Sequence, residues 1–336
     1  MTINLPNPDL FLSMYVRKEA LLSSQIEGTQ ASLDDVLAYE AREPKQGVRN
    51  DSDEVVNYVR AMNYGIQRIN TLPLSLRLIR EIHAELLQNV RGGEEARTPG
   101  EFRTSQNWIG HPGCTLNEAA FIPPPPDEMK NALYELEKFL HSDTRLPVLV
   151  KCALVHAQFE TIHPFLDGNG RVGRLLITLL LCHTGMMRKP LLYLSYYLKA
   201  NRDSYYERLN AIRTMGDWEG WLRFFLQGVA EVAQQAAEMA ERILRLREHF
   251  LEKVQNAYTR APSNAIRLLD YLFDRPYINP PSICDDLKIS TPTANTIITR
   301  FQNIGILREI TGQSYGRIYL FEPYMALLRE GTEPIS

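Results

Sequence analysis

The chain has little cysteine: four residues in 336, Cys114, Cys152, Cys182 and Cys284, none of them in a C-x-x-C pair. That spacing argues against a disulfide framework or a zinc site and fits reduced thiols. No charge sign dominates. Against 37 Lys and Arg stand 40 Asp and Glu, a net charge of −3, which gives no global reason to expect nucleic acid or an anionic membrane as the main partner. No run of eighteen apolar residues occurs, and the opening Met-Thr-Ile-Asn-Leu-Pro-Asn-Pro has no basic segment leading into an apolar one. The expectation is a cytoplasmic protein with no membrane partner. A Walker A motif is absent too. What remains is the composition of an ordinary globular protein, long enough for two or three domains around a well-buried core.

One stretch is dense in chemistry: His163-Pro-Phe-Leu-Asp-Gly-Asn-Gly-Arg-Val-Gly-Arg174, a loop running into an apolar helix. Gly168 and Gly170 are expected to adopt positive φ and bring backbone N–H groups close to a ligand. The helix that starts there favours negative charge at its N-terminus. Arg171 and Arg174, three apart, share a face and can offer two planar donor forks to one polyphosphate. Asp167 is the single carboxylate of the stretch, the kind of hard oxygen ligand that Mg²⁺ uses beside phosphates. His163 has no structural task, and an imidazole with an ordinary pKa of about 6.5 suits a general base. Phosphate chemistry follows from the combination.

Gly168-Asn-Gly-Arg-Val-Gly173 also matches G-x-G-x-x-G, the dinucleotide fingerprint, which requires a preceding β-strand. Here Val148 to Phe159 mixes apolar runs with Lys151, His156 and Gln158 over a length that suits a buried helix. The dinucleotide reading therefore fails on context. The stretch instead resembles the signature of the Fic (filamentation induced by cAMP) family, His-x-Phe-x-Asp/Glu-Gly-Asn-Gly-Arg-x-x-Arg, with every fixed position filled. The resemblance implies a mainly α enzyme that transfers AMP from ATP, with Mg²⁺, to a Ser, Thr or Tyr hydroxyl of a protein and releases pyrophosphate. It makes His163 the base and Asp167 the metal ligand. Gly168, Asn169, Gly170, Arg171, Val172, Gly173 and Arg174 become the ATP-binding loop, and Phe165 a core anchor.

Upstream, Asp9 to Ala41 reads as helix, turn, helix, broken at Gly28. Ser23-Ser-Gln-Ile-Glu27-Gly28 resembles the inhibitory motif some Fic proteins carry, implying that Glu27, with Ser23, forms a bidentate pair with Arg174 and blocks a productive ATP pose. Asp51 to Val90 carries two amphipathic helices, with His83 read as a satisfied helix histidine rather than a ligand. Gly100 to Pro126 is rich in Thr, Gly, Pro and Asn and reads as a short hairpin. In Fic proteins a hairpin called the flap lies here; its first strand would be Gln106 to His111, with Ile109 and Gly110 near the nucleotide. Such an edge suits capture of a target segment by strand addition. Tyr206, in the tyrosine-rich run after the signature helix, is the candidate adenine or ribose contact.

The fold class expected is thus a Fic helical bundle with a short β-hairpin flap, plus a C-terminal winged helix-turn-helix domain. The domains would be 1–45, with the inhibitory helix; 46–230, catalytic; 231–260, a charged connecting helix; and 261–336. In the last, helices are expected over Asn264 to Phe273, Ile278 to Leu287 and Thr291 to Ile304, then a strand pair around Gly312 to Phe321. Its recognition helix offers only Arg300, Asn295 and Thr296, and the domain has no basic excess, so protein contact is favoured over DNA. The function expected is a self-inhibited protein adenylyltransferase that also modifies itself and can form a homodimer. The rivals are an ATP-sensing or DNA-binding regulator, and a Fic enzyme using another nucleotide donor, a phosphocholine donor, or removing AMP.

Overall fold

A computed structural model describes residues 9–41, 51–88, 98–110, 113–258 and 262–334. The domain limits expected at residues 45/46 and 260/261, and His111 of the flap, lie outside the described residues. The chain is mainly helical. Helices α1 (Asp9–Ile26), α2 (Leu33–Ala41), α3 (Asp51–Arg68) and α4 (Leu76–Leu86) come first. Then follow α5 (Pro126–His141), α6 (Val148–Ile162), α7 (Asn169–His183), α8 (Ser195–Ala200), α9 (Arg202–Met215) and α10 (Trp218–Ala257). The segment before the signature loop is thus helix, as the failed dinucleotide context requires.

The signature helix α7 is the centre of the bundle. It packs on α6, α3, α4 and α1, and its residues from Val172 to Leu181 are buried all round, the pattern of a helix with no solvent face. Gly65 of α3 brings that helix close, since a Cβ there would press on Leu179. α1 ends at Ile26, and Gly28 follows at φ +100 in open space, a left-handed exit that glycine takes without strain.

Two expectations need correction. Among the described residues the flap is a hairpin reduced to one antiparallel bridge, Ile109 with Phe121; prolines at 123 to 126 lack the N–H groups a longer ladder needs at that end. And residues 231–257 are not a helix of their own: α10 runs unbroken for 40 residues. Its buried stripe, Phe225, Val229, Val232, Ala236, Ala240 and Ile243, passes through residue 230 without a change of face.

The C-terminal residues form α11 (Ser263–Asp274), β1 (Tyr277–Ile278), α12 (Pro280–Leu287), α13 (Thr291–Asn303), β2 (Arg308–Glu309), β3 (Tyr319–Leu320) and α14 (Glu322–Leu328). The three strands make an antiparallel sheet in the order β1-β3-β2, so the expected strand pair gains Tyr277–Ile278 as a third member. Asn279 and Ser290 cap α12 and α13 through their side chains. This unit holds the N-terminal helices: Arg329 donates to both oxygens of Asp34 at 2.8 and 2.6 Å. Lys18 donates to the Glu330 carbonyl at 2.8 Å and Gln25 to the Thr332 carbonyl at 2.9 Å.

Candidate active site

The loop between α6 and α7 is built by its own short-range hydrogen bonds. Asn169 clasps Phe165 twice, Oδ1 accepting from its N–H and Nδ2 donating to its carbonyl, each at 2.8 Å. His163 ends α6 with φ 49 and ψ 62, a left-handed conformation that costs a non-glycine residue of the order of 1 kcal/mol. Arg103, itself buried, supports that turn: its Nε donates to the His163 carbonyl at 2.9 Å and its own N–H to the Pro164 carbonyl at 2.9 Å. Behind the loop His83 is fully satisfied. Nδ1 accepts from the Gly100 N–H at 2.9 Å, so Nε2 carries the proton and donates to the Asp167 carbonyl at 3.0 Å. Its ring stacks on Phe165 at 3.7 Å, and burial pushes it down to about 4. The helix-histidine reading holds, and Phe165 is the core anchor expected.

A cleft of about 280 Å³ opens over this loop, lined by Glu27, Glu54, His163 and Leu166 through Arg171. The amides of Asn169, Gly170 and Arg171 are the first of α7 and have no acceptor within the helix. Gly168 takes the positive φ expected, +77, which lets the chain enter the helix. Gly170 does not; it is helical. Its need is space, because a Cβ there would strike the Glu27 carboxylate and the Arg174 guanidinium. Val172 and Gly173 turn away from the cleft: Val172 is buried, and a Cβ on Gly173 would collide with Glu160 of α6.

Both arginines already hold carboxylates. Arg174, buried, donates through Nη2 to Glu27 Oε1 at 2.6 Å and to the Ser23 carbonyl at 3.0 Å, and through Nε to Ser23 Oγ at 2.8 Å. The pair is therefore not the bidentate one expected; Ser23 takes the positions a second carboxylate oxygen would fill. Burial alone would raise the Glu27 carboxyl, yet the adjoining Arg174 holds it below the usual carboxylate range. Arg171 Nη1 reaches Glu54 at 3.3 Å and its Nη2 lies 3.8 Å from Asp167. Glu54 in turn accepts from Thr29 Oγ1 at 3.2 Å. Residues 23 to 54 thus supply a carboxylate to each guanidinium of the loop.

His163 is neutral at pH 7. Burial lowers it to about 4, Arg213 and Arg103 adding to the effect while Glu27 and the Glu160 carbonyl oppose it. Its Nδ1 is buried without a partner. Tyr206 lies outside the cleft lining, half-exposed, with Arg202 over its ring at 5.4 Å; Glu27 and Arg174 are near enough to affect its ionisation. Ile109 sits in the flap bridge with Gly110 next to it, and neither lines the cleft. Among the described residues no group of three His, Cys, Asp or Glu side chains gathers as a metal cage.

The comparisons with known proteins fall on the same residues. A Fic/DOC family N-terminal model matches residues 1–67 and a Fic/DOC family model residues 73–181, together more than half of the chain and containing both Glu27 and the loop. The chain is a Fic family protein. A probable protein adenylyltransferase of Aquifex aeolicus is 28% identical over 198 residues, 58% of this chain and 56% of that protein. The protein adenylyltransferase Fic of Drosophila melanogaster is 29% identical over 194 residues, 56% of this chain and 34% of that one. The chain thus spans about half, or a third, of the length of these curated relatives. A Fic family protein from Desulfovibrio desulfuricans shares the fold over 95% of this chain and 89% of that one, at 19% identity and a TM-score of 0.59. A Fic domain signalling protein from Bacteroides thetaiotaomicron matches 70% of this chain at 20% identity and a TM-score of 0.52.

Several residues at the Fic site escaped the sequence reading. Glu160 is buried with Oε1 unpartnered, and burial pushes its carboxyl up to about 7 against the pull of Arg174. His156 bonds the Tyr205 hydroxyl at 2.9 Å in the core beside it. Glu160 was within reach of sequence reasoning, lying one helical turn before His163. Glu54, Arg103 and Arg213 were not, since nothing in their local sequence marks them.

Proposed function

We propose that this Fic protein is a self-inhibited protein adenylyltransferase. One observation carries the reading: Glu27, in the turn just after α1 and far away in sequence, occupies the Arg174 guanidinium in a cleft where a neutral histidine faces an anion-binding helix start. The names of the curated relatives support adenylyl transfer as the reaction.

In the reaction the hydroxyl oxygen of a target Ser, Thr or Tyr attacks the α-phosphorus of ATP. The bond from that phosphorus to the bridging oxygen breaks, and pyrophosphate leaves. His163 takes the hydroxyl proton, which its lowered pKa allows because the ring is in the accepting form throughout the neutral range. The amides of residues 169–171, with Arg171 and Arg174, neutralise the phosphates. With Glu27 in place Arg174 is unavailable to the γ-phosphate, and the nucleotide is held out of line. With Glu27 and Glu54 engaged by Arg174 and Arg171, Asp167 is the loop carboxylate that would hold Mg²⁺ together with the nucleotide rather than in a protein cage. Bound there, Mg²⁺ would offset charge on the phosphates.

The C-terminal unit reads as a winged helix-turn-helix, α12 and α13 being the pair and β2–β3 the wing. Arg300, the single basic side chain of its second helix, lies over the Tyr258 ring at 4.6 Å, which favours a role in protein contact over DNA reading. Incubation with ATP and Mg²⁺ followed by intact-mass measurement tests the main reading. An AMP adduct on the Glu27→Gly chain supports it; a phosphate adduct, or none with ATP but one when a nucleotide-phosphocholine donor is supplied instead, moves the chemistry to another transfer, and none with either moves it to nucleotide sensing.

A further inference from the structure

The flap carries little that would hold it in place. Among the described residues it is closed by one backbone bridge, Ile109 N–H to Phe121 O at 2.8 Å and Phe121 N–H to Ile109 O at 3.1 Å, with Gln106 Nε2 donating to the Pro123 carbonyl at 2.8 Å and Arg103 Nη2 to the Pro124 carbonyl at its base. Its apolar side chains Trp108, Leu116 and Ile122 are 43%, 41% and 49% exposed, so no core anchors it. The base of the hairpin is tied to the signature loop by Arg103, which reaches the carbonyls of His163 and Ser105, and by Asn107 Nδ2, which donates to the Phe165 carbonyl at 3.0 Å. The bridge itself has a different anchor. The Arg213 guanidinium, in the last turns of α9, lies 3.8 Å from the centroid of the Phe121 ring. The same guanidinium donates to the Glu160 carbonyl at 3.1 Å and to Thr161 Oγ1 at 3.2 Å, in the turn of α6 that ends in His163.

We infer that Arg213 is a positioning residue which fixes the distance between the flap and His163, by stacking on Phe121 with one face while its N–H groups grip the end of α6. A guanidinium suits this double task because its plane stacks on a ring while its edge keeps directed donors, which a lysine cannot match. The geometry bears on the transfer reaction, and here the inference rests on the proposed function: a target segment laid along the flap would have its hydroxyl set against His163 by this contact. The positive charge so placed is also one of those that keep the imidazole neutral, alongside burial and Arg103 and against Glu27.

The test is a double-mutant cycle on the full chain, Arg213→Met, Phe121→Leu and both, read by hydrogen exchange of flap peptides containing Ile109 and Phe121. Each single change should speed flap exchange about fivefold, the order expected of a partly desolvated cation–π contact. The pair should do no more than either alone. A residue that merely packs α9 on α6 would give effects that multiply, and that result, or unchanged flap exchange in both singles, overturns the inference. Arg213→Lys covers the case in which Arg213→Met unfolds. It should keep the fold and still raise flap exchange, because an ammonium has no plane to stack on Phe121 while it donates to Glu160 and Thr161; parental exchange in Arg213→Lys overturns the inference too. Labelling by α-³²P ATP in the Glu27→Gly background is the parallel readout. If that chain transfers nothing, the transfer reading falls, while flap exchange still decides the role of Arg213.

Discussion

Two regions of this Fic protein hold arginines against carboxylates, and they do so in opposite surroundings. In the loop, the side chains of Arg171 and Arg174 are 4% and 1% exposed. In the C-terminal unit, Arg308 against Glu322 and Arg275 against Asp286 leave 65% and 53% of the arginine in water. Water screens the second kind, so such pairs contribute about 0–1 kcal/mol and are sensitive to salt. The first kind is desolvated, and a buried guanidinium left without a partner is costly. That difference teaches where function sits: a buried cation at a helix start must be neutralised by something, Glu27 does so here, and on the proposed function a nucleotide would compete for the post.

The comparison can be broken at several points. The largest effect should come from His163→Ala in the Glu27→Gly background: labelling falls by about 10²–10⁴-fold, while nucleotide binding measured by calorimetry stays near that of the parent. Next is Glu27→Gly itself. Loss of a charge-assisted hydrogen bond worth about 1.5–3 kcal/mol frees Arg174, and labelling should rise by tenfold or more. Gly170→Ala sharpens the point. Gly170 has ordinary helical backbone, so alanine strains no dihedral there, yet its Cβ would press on both the Glu27 carboxylate and the Arg174 guanidinium and crowd their pair. A smaller rise than with Glu27→Gly is expected in the same assay.

A pH experiment separates the buried carboxyl from the exposed ones. The Glu160 carboxyl, raised to about 7 in the fold, binds a proton that the unfolded chain releases above about pH 4.3. The folded form therefore holds more protons between those values, and its contribution to stability is full below about 4.3 and is lost as pH rises towards 7. Thermal unfolding of the parent and of Glu160→Gln at pH 5 and pH 8 should show the parent losing ground to the variant at the higher pH. The smallest effect is reserved for Arg308→Ala, which should cost about 0–1 kcal/mol in urea unfolding and leave labelling unchanged.

Much of this was legible in the chain. The twelve residues from His163 give both a loop and a helix start, and the break at Gly28 and the stripes of α3 and α4 followed from periodicity. What was not legible depends on contacts between distant segments. Glu54 meets Arg171 across more than a hundred residues, and Arg213 meets Phe121 across nearly as many. Gly170 looked like a turn glycine because the sequence shows its neighbours and not the carboxylate that crosses it. The flap was expected as two strands; with Pro123 to Pro126 lacking N–H donors, one pair closes among the described residues. The stripe of α10 was readable, but the charges between its positions drew attention to solvent and away from the buried face that continues past residue 230.

The central claim is that Glu27 withholds Arg174 from a nucleotide that His163 would otherwise use. The most direct test incubates the parent, Glu27→Gly and the double variant with His163→Ala with α-³²P or γ-³²P ATP and Mg²⁺. The account predicts α-label on protein, strong in Glu27→Gly, weak in the parent and absent in the double variant, with no γ-label anywhere. Equal α-label in the parent and Glu27→Gly, or label that survives the loss of His163, would contradict it.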